Sequence, residues 1–372
     1  MPEKNINNVF LWYSGATDLT ALKLIEALGT KGGKNQPNPD DVCMIIGWGP
    51  KTSGPVNIDG CPCLNHPNNV RLSRNKFEAL RAMQSGGVSI APFVAATNID
   101  EAIKSGAVTF PMIGRKKFHQ GGKGFWDCPT RTHVKEAISQ GAEYFQHMIE
   151  IEDEFRFHVF GEVVYAVKKV KRSKEEMADS FVKQEMERQK ALADKSGNQF
   201  DEATVKQTLE RLAKKFVENG PNMMVRSNRL GWKFVPINQY PKSLADEALK
   251  AVAAVGLDFG AVDCCIDADG KPYVIEVNTG PGLEGTAFKK WVAALETRIK
   301  SILKPEPKPE PKKQAAEAEM VAEAQAPVEP QVADNGIKAG LKSQLEMMNK
   351  MIDLADNDEQ LAALRSIFKK VF

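Results

Sequence analysis

The sequence predicts a mixed α/β protein of several domains, and three stretches carry that prediction. Residues 257–283, LDFGAVDCCIDADGKPYVIEVNTGPGL, set two β-rich runs on either side of Asp269-Gly270, a dipeptide favoured in two-residue hairpin turns. Residues 9–28 join a short apolar run to a helical pattern through SGATD, which reads as strand, turn and helix. Residues 143–170, EYFQHMIEIEDEFRFHVFGEVVYAVKKV, read as two strands joined around Gly161.

Composition bounds the rest. The 372 residues, 42% hydrophobic and 26% charged, suffice for two or three domains with a sizeable core. A net charge of +2 gives no reason to invoke a nucleic-acid or membrane surface. MPEKNINNVF holds no apolar run ahead of a small-residue cleavage site, and no stretch nears the about 20 apolar residues of a membrane span, so a cytoplasmic protein is expected. The six cysteines show no CxxC pair with zinc-like spacing and read as reduced and structural.

Taken in order, the apolar run Val9 to Tyr13 precedes LTALKLIEALG, where Leu19, Leu22, Ile25 and Leu28 fall at helical spacing. A second strand at 42–46 leads into the Gly-rich loop GWGPKTSG, and the whole resembles half of a Rossmann-like unit. The fuller GxGxxG fingerprint is missing, which argues against a dinucleotide here. A helix is expected over 75–83, stopped by Gly86-Gly87 and followed by an extended run through Pro92. FPMIGRKKFHQGGKGFW then gives a short strand from Phe110 that presents a cation and turns through His119, Gln120, Gly121, Gly122, Lys123 and Gly124. Such a loop can fold over polyphosphate, because residues without Cβ let backbone N–H groups approach its oxygens.

Helices are expected over 132–141 and 243–255, the latter with Ser243 as N-cap, and over 285–303. Residues 171–219 are charged and mostly helical, with a break at LADKSGNQF, and read as an inserted helical hairpin with a solvated face. KPEPKPEPKK and the Ala/Glu/Pro/Val stretch that follows read as a linker over 304–334. Two amphipathic helices over 335–372 are too short to bury much area alone, and are expected to dock on the body, a second copy or a protein partner.

The hairpin register can be counted outward from its turn. With Asp269 and Gly270 as the loop, Asp263 falls directly opposite Glu276, and Asn278 lies on the same face two residues on. Val262, Cys264, Ile275 and Val277 then face the core. Two like charges directly opposite destabilise a sheet unless a cation compensates, and two carboxylates with an amide oxygen suit Mg²⁺. Isolated acids on a hairpin more often bind nothing, but the shared face with Asn278 and the Gly280-Pro281-Gly282 turn favour a metal site.

An Asp, then Glu-Val-Asn a dozen residues later and a following Pro-Gly, resembles the metal-binding end of the ATP-grasp carboxylate-amine ligases. The likeness extends over about residues 5–303. Asn75-Lys76 opening a helix is similar to that family's phosphate-contacting lysine, and Arg115 falls where most relatives have lysine and a following proline. That departure keeps the charge but replaces a point charge by a planar fork, and Lys116 or Lys117 could share the task. VRSNRLGWKF is similar to the motif of the branch that adds glutamate to a ribosomal protein or to cofactor tails.

The resemblance implies an ATP-grasp fold: an N-terminal α/β domain (1–75), a lid (76–150) and a larger metal-binding domain (151–303) that carries the insertion. It implies ATP contacts from Lys76, Arg115, His119, Gly121, Gly122 and Gly124, an adenine hinge at His147 to Ile149, ribose held by Glu154, and a cation at Lys168 or Lys169. Arg156 matches an Arg of the peptide-modifying branch. Arg226 would stabilise the acyl phosphate and Asn228 would shape the site. Asp263, Glu276 and Asn278 would hold Mg²⁺, two ions in all, with Mn²⁺ able to substitute. The implied reaction joins a carboxylate substrate to an amine acceptor, an amino acid, peptide or protein tail, through an acyl phosphate. An ATP-dependent kinase on the same fold and a nucleotide-binding interaction protein with a relict site are the alternatives.

Overall fold

A computed structural model of the chain describes residues 4–303 apart from 16–17, 59, 120–123, 197–199, 219, 223–225 and 227–229. The expected linker and C-terminal helices fall outside the described residues. All described residues belong to one compact unit spanning 1–307. None of their helices is long and apolar enough to cross a membrane.

The N-terminal part is a four-stranded parallel sheet in the order β2-β1-β3-β4, from β1 (Val9–Tyr13), β2 (Lys31–Gly33), β3 (Met44–Trp48) and β4 (Cys63–Leu64). β3 is buried at every position, as an apolar run in a parallel sheet covered on both faces should be. Helix α1 (Asp18–Leu28) follows β1, but its buried stripe is Ala21, Leu24 and Leu28. Leu19 and Leu22, expected to face inward, are 77% and 51% exposed. Ala21 and Leu24 are fully buried instead, and the stripe is turned around the helix accordingly.

Helix α2 (Pro67–Arg74) was not evident from the sequence. Pro67 opens it, and the His66 ring accepts from the Asn68 N–H. Helix α3 (Lys76–Ser85) begins where expected, because Asn75 Oδ1 caps the Glu78 N–H at 3.2 Å.

A second, antiparallel sheet, in the order β5-β8-β6-β7, is built from β5 (Phe93–Ala95), β6 (Met112–Arg115), β7 (Phe125–Cys128) and β8 (Tyr144–His147). With α4 (Ile99–Ser105) and α5 (Arg131–Ser139) it encloses its own small core of Ile99, Val108, Met112, Val134 and Phe145.

The third sheet is the largest, β11-β10-β9-β12-β13, and wholly antiparallel: β9 (Ile151–Phe160), β10 (Glu162–Lys171), β11 (Trp232–Pro236), β12 (Phe259–Asp267) and β13 (Pro272–Asn278). β9 and β10 turn through Gly161, whose φ of +71° is open to glycine at no steric cost. Helices α6 (Lys174–Ser196) and α7 (Glu202–Glu218) interrupt the sheet between β10 and β11.

One face of this sheet, with Phe155, Phe157, Val262, Cys264, Val274 and Val277, packs under α3 and α8 (Lys242–Ala254). Each such fully buried large side chain contributes roughly 1.5–3 kcal/mol. Helix α8 starts one residue earlier than expected, with Pro241 at the cap and no side-chain cap bond. Ser243 therefore sits inside the first turn.

Helix α9 (Gly285–Leu303) packs Trp291, Leu295 and Ile299 beneath the parallel sheet. There Trp291 meets Trp48 edge-on at 5.1 Å and Phe259 at 5.3 Å. Asn65, fully buried at φ +53°, joins β4 to the start of β12. Its Oδ1 accepts from the Asp258 and Phe259 amides, its Nδ2 donates to Phe259 O, and its own amide donates to Asp258 Oδ2. A Cβ at Gly47 would lie 2.2 Å from the Asn65 carbonyl oxygen, so the strand comes this close only as glycine.

Candidate functional site

The β12–β13 hairpin places its acids together by a route other than the expected one. Its loop has three residues, Ala268 to Gly270, closed by the Asp267 N–H donating to Lys271 O and the Gly270 N–H donating to Asp267 O. Asp267 Oδ1 also accepts from the Asp269 and Lys271 amides, which favours the longer loop. The register is thus shifted by one near the turn, with Cys264 opposite Val274. A bulge at Ile275 absorbs the shift, and Asp263 again faces Glu276. Val274, not Ile275, therefore packs in the core, while Ile275 lines a cavity.

That cavity, about 990 Å³, lies between the second and third sheets. On the floor, Asp263 is buried and pairs in the register with Arg156 of β9. Arg156 Nε and Nη2 donate to its two oxygens at 2.6 and 2.8 Å, and Lys169 Nζ lies 3.4 Å away. Burial opposes charge on Asp263, but Arg156 and Lys169 outweigh it and hold the carboxyl below its ordinary range. Glu154 is held by Lys169 and lies 3.8 Å from Arg226 Nε. Its pKa is nonetheless raised, because burial exceeds the pull of Lys169.

Glu276 accepts from Lys76 at 3.2 Å and from Asn278 Nδ2 at 3.1 Å. Burial would raise its pKa, but Lys76 and then Arg115 hold it well below the carboxylate range. Arg226 stacks over Trp232 at 4.7 Å and donates to Ile151 O at 2.8 Å.

The second sheet supplies the roof. Arg115 closes β6 and is 4% exposed, sandwiched over Phe125 at 4.6 Å and Tyr144 at 5.8 Å. Its Nη1 donates to Gln146 Oε1 at 3.3 Å, its Nη2 lies 3.1 Å from His119 Nε2, and its Nε has no partner among the described residues. Burial first, and then Arg115, push the His119 pKa down to about 4. His119 is therefore neutral at pH 7 and accepts with Nε2, so its proton is on Nδ1.

Most of the expected site residues line this one cavity: Lys76, Arg115, His119, His147, Ile149, Glu154, Arg226, Asp263, Glu276 and Asn278. The structure does not bring Lys168 to it. Lys168 alternates to the other face of β10 and pairs with Asp153 at 2.7 Å, whereas neighbouring Lys169 points in. Lys116 and Lys117 do not line it either, and Gly124 serves the loop backbone, accepting from the Lys116 N–H. Gly121, Gly122 and Asn228 lie outside the described residues. Gln146, Phe234 and Arg74 line the cavity with no local sequence signal to mark them.

Among the described residues no three His, Cys, Asp or Glu side chains gather as a metal cluster. The donor set is two carboxylates and an amide on one sheet face. Mg²⁺ bound jointly with phosphate needs only one or two protein carboxylates, and this set fits that demand.

No protein-family model and no curated protein sequence matches the chain. Solved structures do resemble it. N5-carboxyaminoimidazole synthetase from Staphylococcus aureus, complexed with ADP, aligns at TM-score 0.51 and 12% identity over 79% of this chain and 80% of that one. D-alanine–D-alanine ligase from Bacillus anthracis aligns at 0.50 and 13% over 79% and 95%. The ATP-grasp ligase PsnB, complexed with a phosphomimetic variant of minimal precursor, Mg and ADP, aligns at 0.50 and 11% over 81% and 100%. Identity this low speaks to architecture alone. The three sheets and the cavity between the second and third make the fold of this chain that of the ATP-grasp proteins.

Proposed function

We propose that the protein is an Mg²⁺- and ATP-dependent carboxylate-amine ligase. The observation that carries this is the meeting, in one cavity, of a hairpin bearing Asp263, Glu276 and Asn278 with the cations Lys76 and Arg115. ATP complexes fit such a site because both halves of a phosphate–metal cluster are provided: oxygen donors for the cation and positive groups for the phosphates. The lid is the second sheet with α4 and α5 within the 76–150 segment, and the metal-binding domain is 151–303, with α3 packed against it.

The adenine would lie at the hinge between β8 and β9. There the His147 and Met148 amides already donate to Pro92 O and Pro111 O, so pairing with the base falls to the Ile149 peptide and to carbonyl oxygens. Lys169 replaces Lys168 as the cation of β10 on the cavity side. Mg²⁺, when held by Glu276, Asn278 and Asp263, neutralises phosphate charge.

The substrate carboxylate attacks the γ-phosphorus, the bond to the ADP oxygen breaks, and an acyl phosphate forms. The amine then attacks the acyl carbon and phosphate leaves. Lys76, Arg115 and Arg226 offset the charge as it moves, and the protein supplies no covalent nucleophile.

The test is ADP release from Mg-ATP with pooled amino acids and peptides, with products followed by mass spectrometry. An amide product establishes the ligase. ADP formation with a phosphorylated product and no amide would replace it with a kinase, and absence of Mg-ATP binding would refute both.

A further inference from the structure

We propose that Arg74 binds the carboxylate of an acidic substrate at the end of the cavity formed by the parallel sheet, an assignment that deepens, and rests on, the ligase function proposed above. Six Lys and Arg side chains line the cavity: Arg74, Lys76, Arg115, Arg156, Lys169 and Arg226. Four of them already face an acid: Lys76 faces Glu276, Arg156 faces Asp263, Lys169 faces Glu154 and Asp263, and Arg226 faces Glu154. The two with no carboxylate ion pair among the described residues are Arg115, which acts on Glu276 from longer range, and Arg74. Arg115 is on the lid and belongs to the phosphates. Arg74 is therefore the positive group left for a second anion.

Arg74 is held for that task. It ends α2, one residue before the Asn75 cap, and its Nη1 donates to Gly49 O at 3.3 Å. Ser14 Oγ donates to the same oxygen at 2.9 Å. Gly49 in turn touches the segment after the acids: a Cβ there would lie 3.4 Å from Thr279 Oγ1 and 3.6 Å from Gly280 N. Arg74 is thus fixed beside the outlet of the Glu276–Asn278 strand.

Burial alone pulls its pKa below the ordinary arginine value, with no carboxylate opposing. A guanidinium partly withdrawn from water and using one of its five donors on the protein presents a planar fork that matches a carboxylate bidentately. The carboxylate could belong to the acid that is activated or to the amine partner, and the chemistry of recognition is the same for both.

The experiment is phenylglyoxal labelling of the full chain, read arginine by arginine by peptide mass spectrometry. Succinate and L-alanine serve as carboxylate probes, Mg-AMPPNP as the phosphate probe, and exposed Arg81 as the internal reference. A saturating carboxylate should slow labelling of Arg74 about tenfold, with Arg81 unchanged. Protection by succinate alone assigns the site to the activated acid, and protection by L-alanine alone assigns it to the amine partner. The proposal is overturned if neither carboxylate protects Arg74, if Mg-AMPPNP protects it by itself, or if Arg74 fails to react without ligand, since it is then closed to substrate. Failure of Mg-AMPPNP to bind the chain by calorimetry would count against the ATP reading while leaving the Arg74 outcome legible.

Discussion

Arg156→Met removes the one side chain that meets both oxygens of buried Asp263, and the cost can be worked from the site. Breaking a buried ion pair by deleting one partner costs about 3–5 kcal/mol, because the remaining charge is stranded. Lys169 stays 3.4 Å from the same carboxylate, and Arg156 is partly solvated, so the lower end applies, about 3 kcal/mol at pH 7. Asp263→Asn in the same chain removes the stranded charge, and Lys169 keeps Glu154 as its partner. The double variant should then lose clearly less than the two single losses added together.

The assay is urea unfolding followed by tryptophan fluorescence, with the slope against urea checked for constancy. Asp263 has a depressed pKa in the folded state, so its contribution is present above the unfolded carboxyl value and is lost as pH falls through the folded one. In R156M that loss should set in at higher pH. A single-variant loss under about 1 kcal/mol, or a double variant that loses the full sum, would refute the view that Arg156 neutralises Asp263.

Asn65→Ala should destabilise by about 3 kcal/mol or more in the same assay, since it strands the Asp258 and Phe259 amides and puts alanine at positive φ. Asn65→Gly should cost about 1 kcal/mol less by relieving the backbone. Glu276→Gln should raise the Mg²⁺ concentration needed for AMPPNP binding about tenfold by calorimetry, and an unchanged Mg²⁺ dependence would remove Glu276 from the metal site. His119 and His158, with pKa values lowered to about 4 and about 3 first by burial, stay neutral in the folded chain. The unfolded chain takes up protons below pH 6.5 while the folded one does not, so stability should be full above that pH and fall toward pH 4. His158→Gln, which keeps an acceptor for the Trp291 indole N–H, should flatten that fall.

The elements with a clean period were legible: β1, the β9–β10 pair around Gly161, the Asn75-capped α3 and α9 all appear where the pattern put them. What failed were choices that tertiary packing makes. The stripe of α1 buries Ala21 with Leu24 and Leu28, a small residue that a count of leucines does not weigh. The opposition of Asp263 and Glu276 was foreseen from a wrong turn, because a longer loop and a bulge each shift the register by one and cancel. Ile275 shows the cost of that cancellation, since it lies in the cavity and not the core. Arg74, Gln146 and Phe234 each reach the site from a separate element, and no spacing along the chain can announce a convergence made in three dimensions.

The bonds of Asn65 and the aromatic contact of Trp48 with Phe259 and Trp291 have a mechanical consequence. They rivet the parallel sheet to the long antiparallel sheet, so these two form a single anvil on which Arg74, Lys76 and the acids keep fixed separations. The sheet carrying Arg115 has its own core and meets this anvil at the crossings at Pro92 and His147–Ile149, at the Lys76 N–H donating to Lys117 O, and where Phe77 packs on Phe93 and Tyr144. Motion of that sheet against the anvil would change the gap between Arg115 and Asp263 on the two sides of the cavity. Spin labels at exposed Leu72 and Ile138 should draw together when Mg-AMPPNP binds, while a pair at Leu72 and Leu19 should hold its distance.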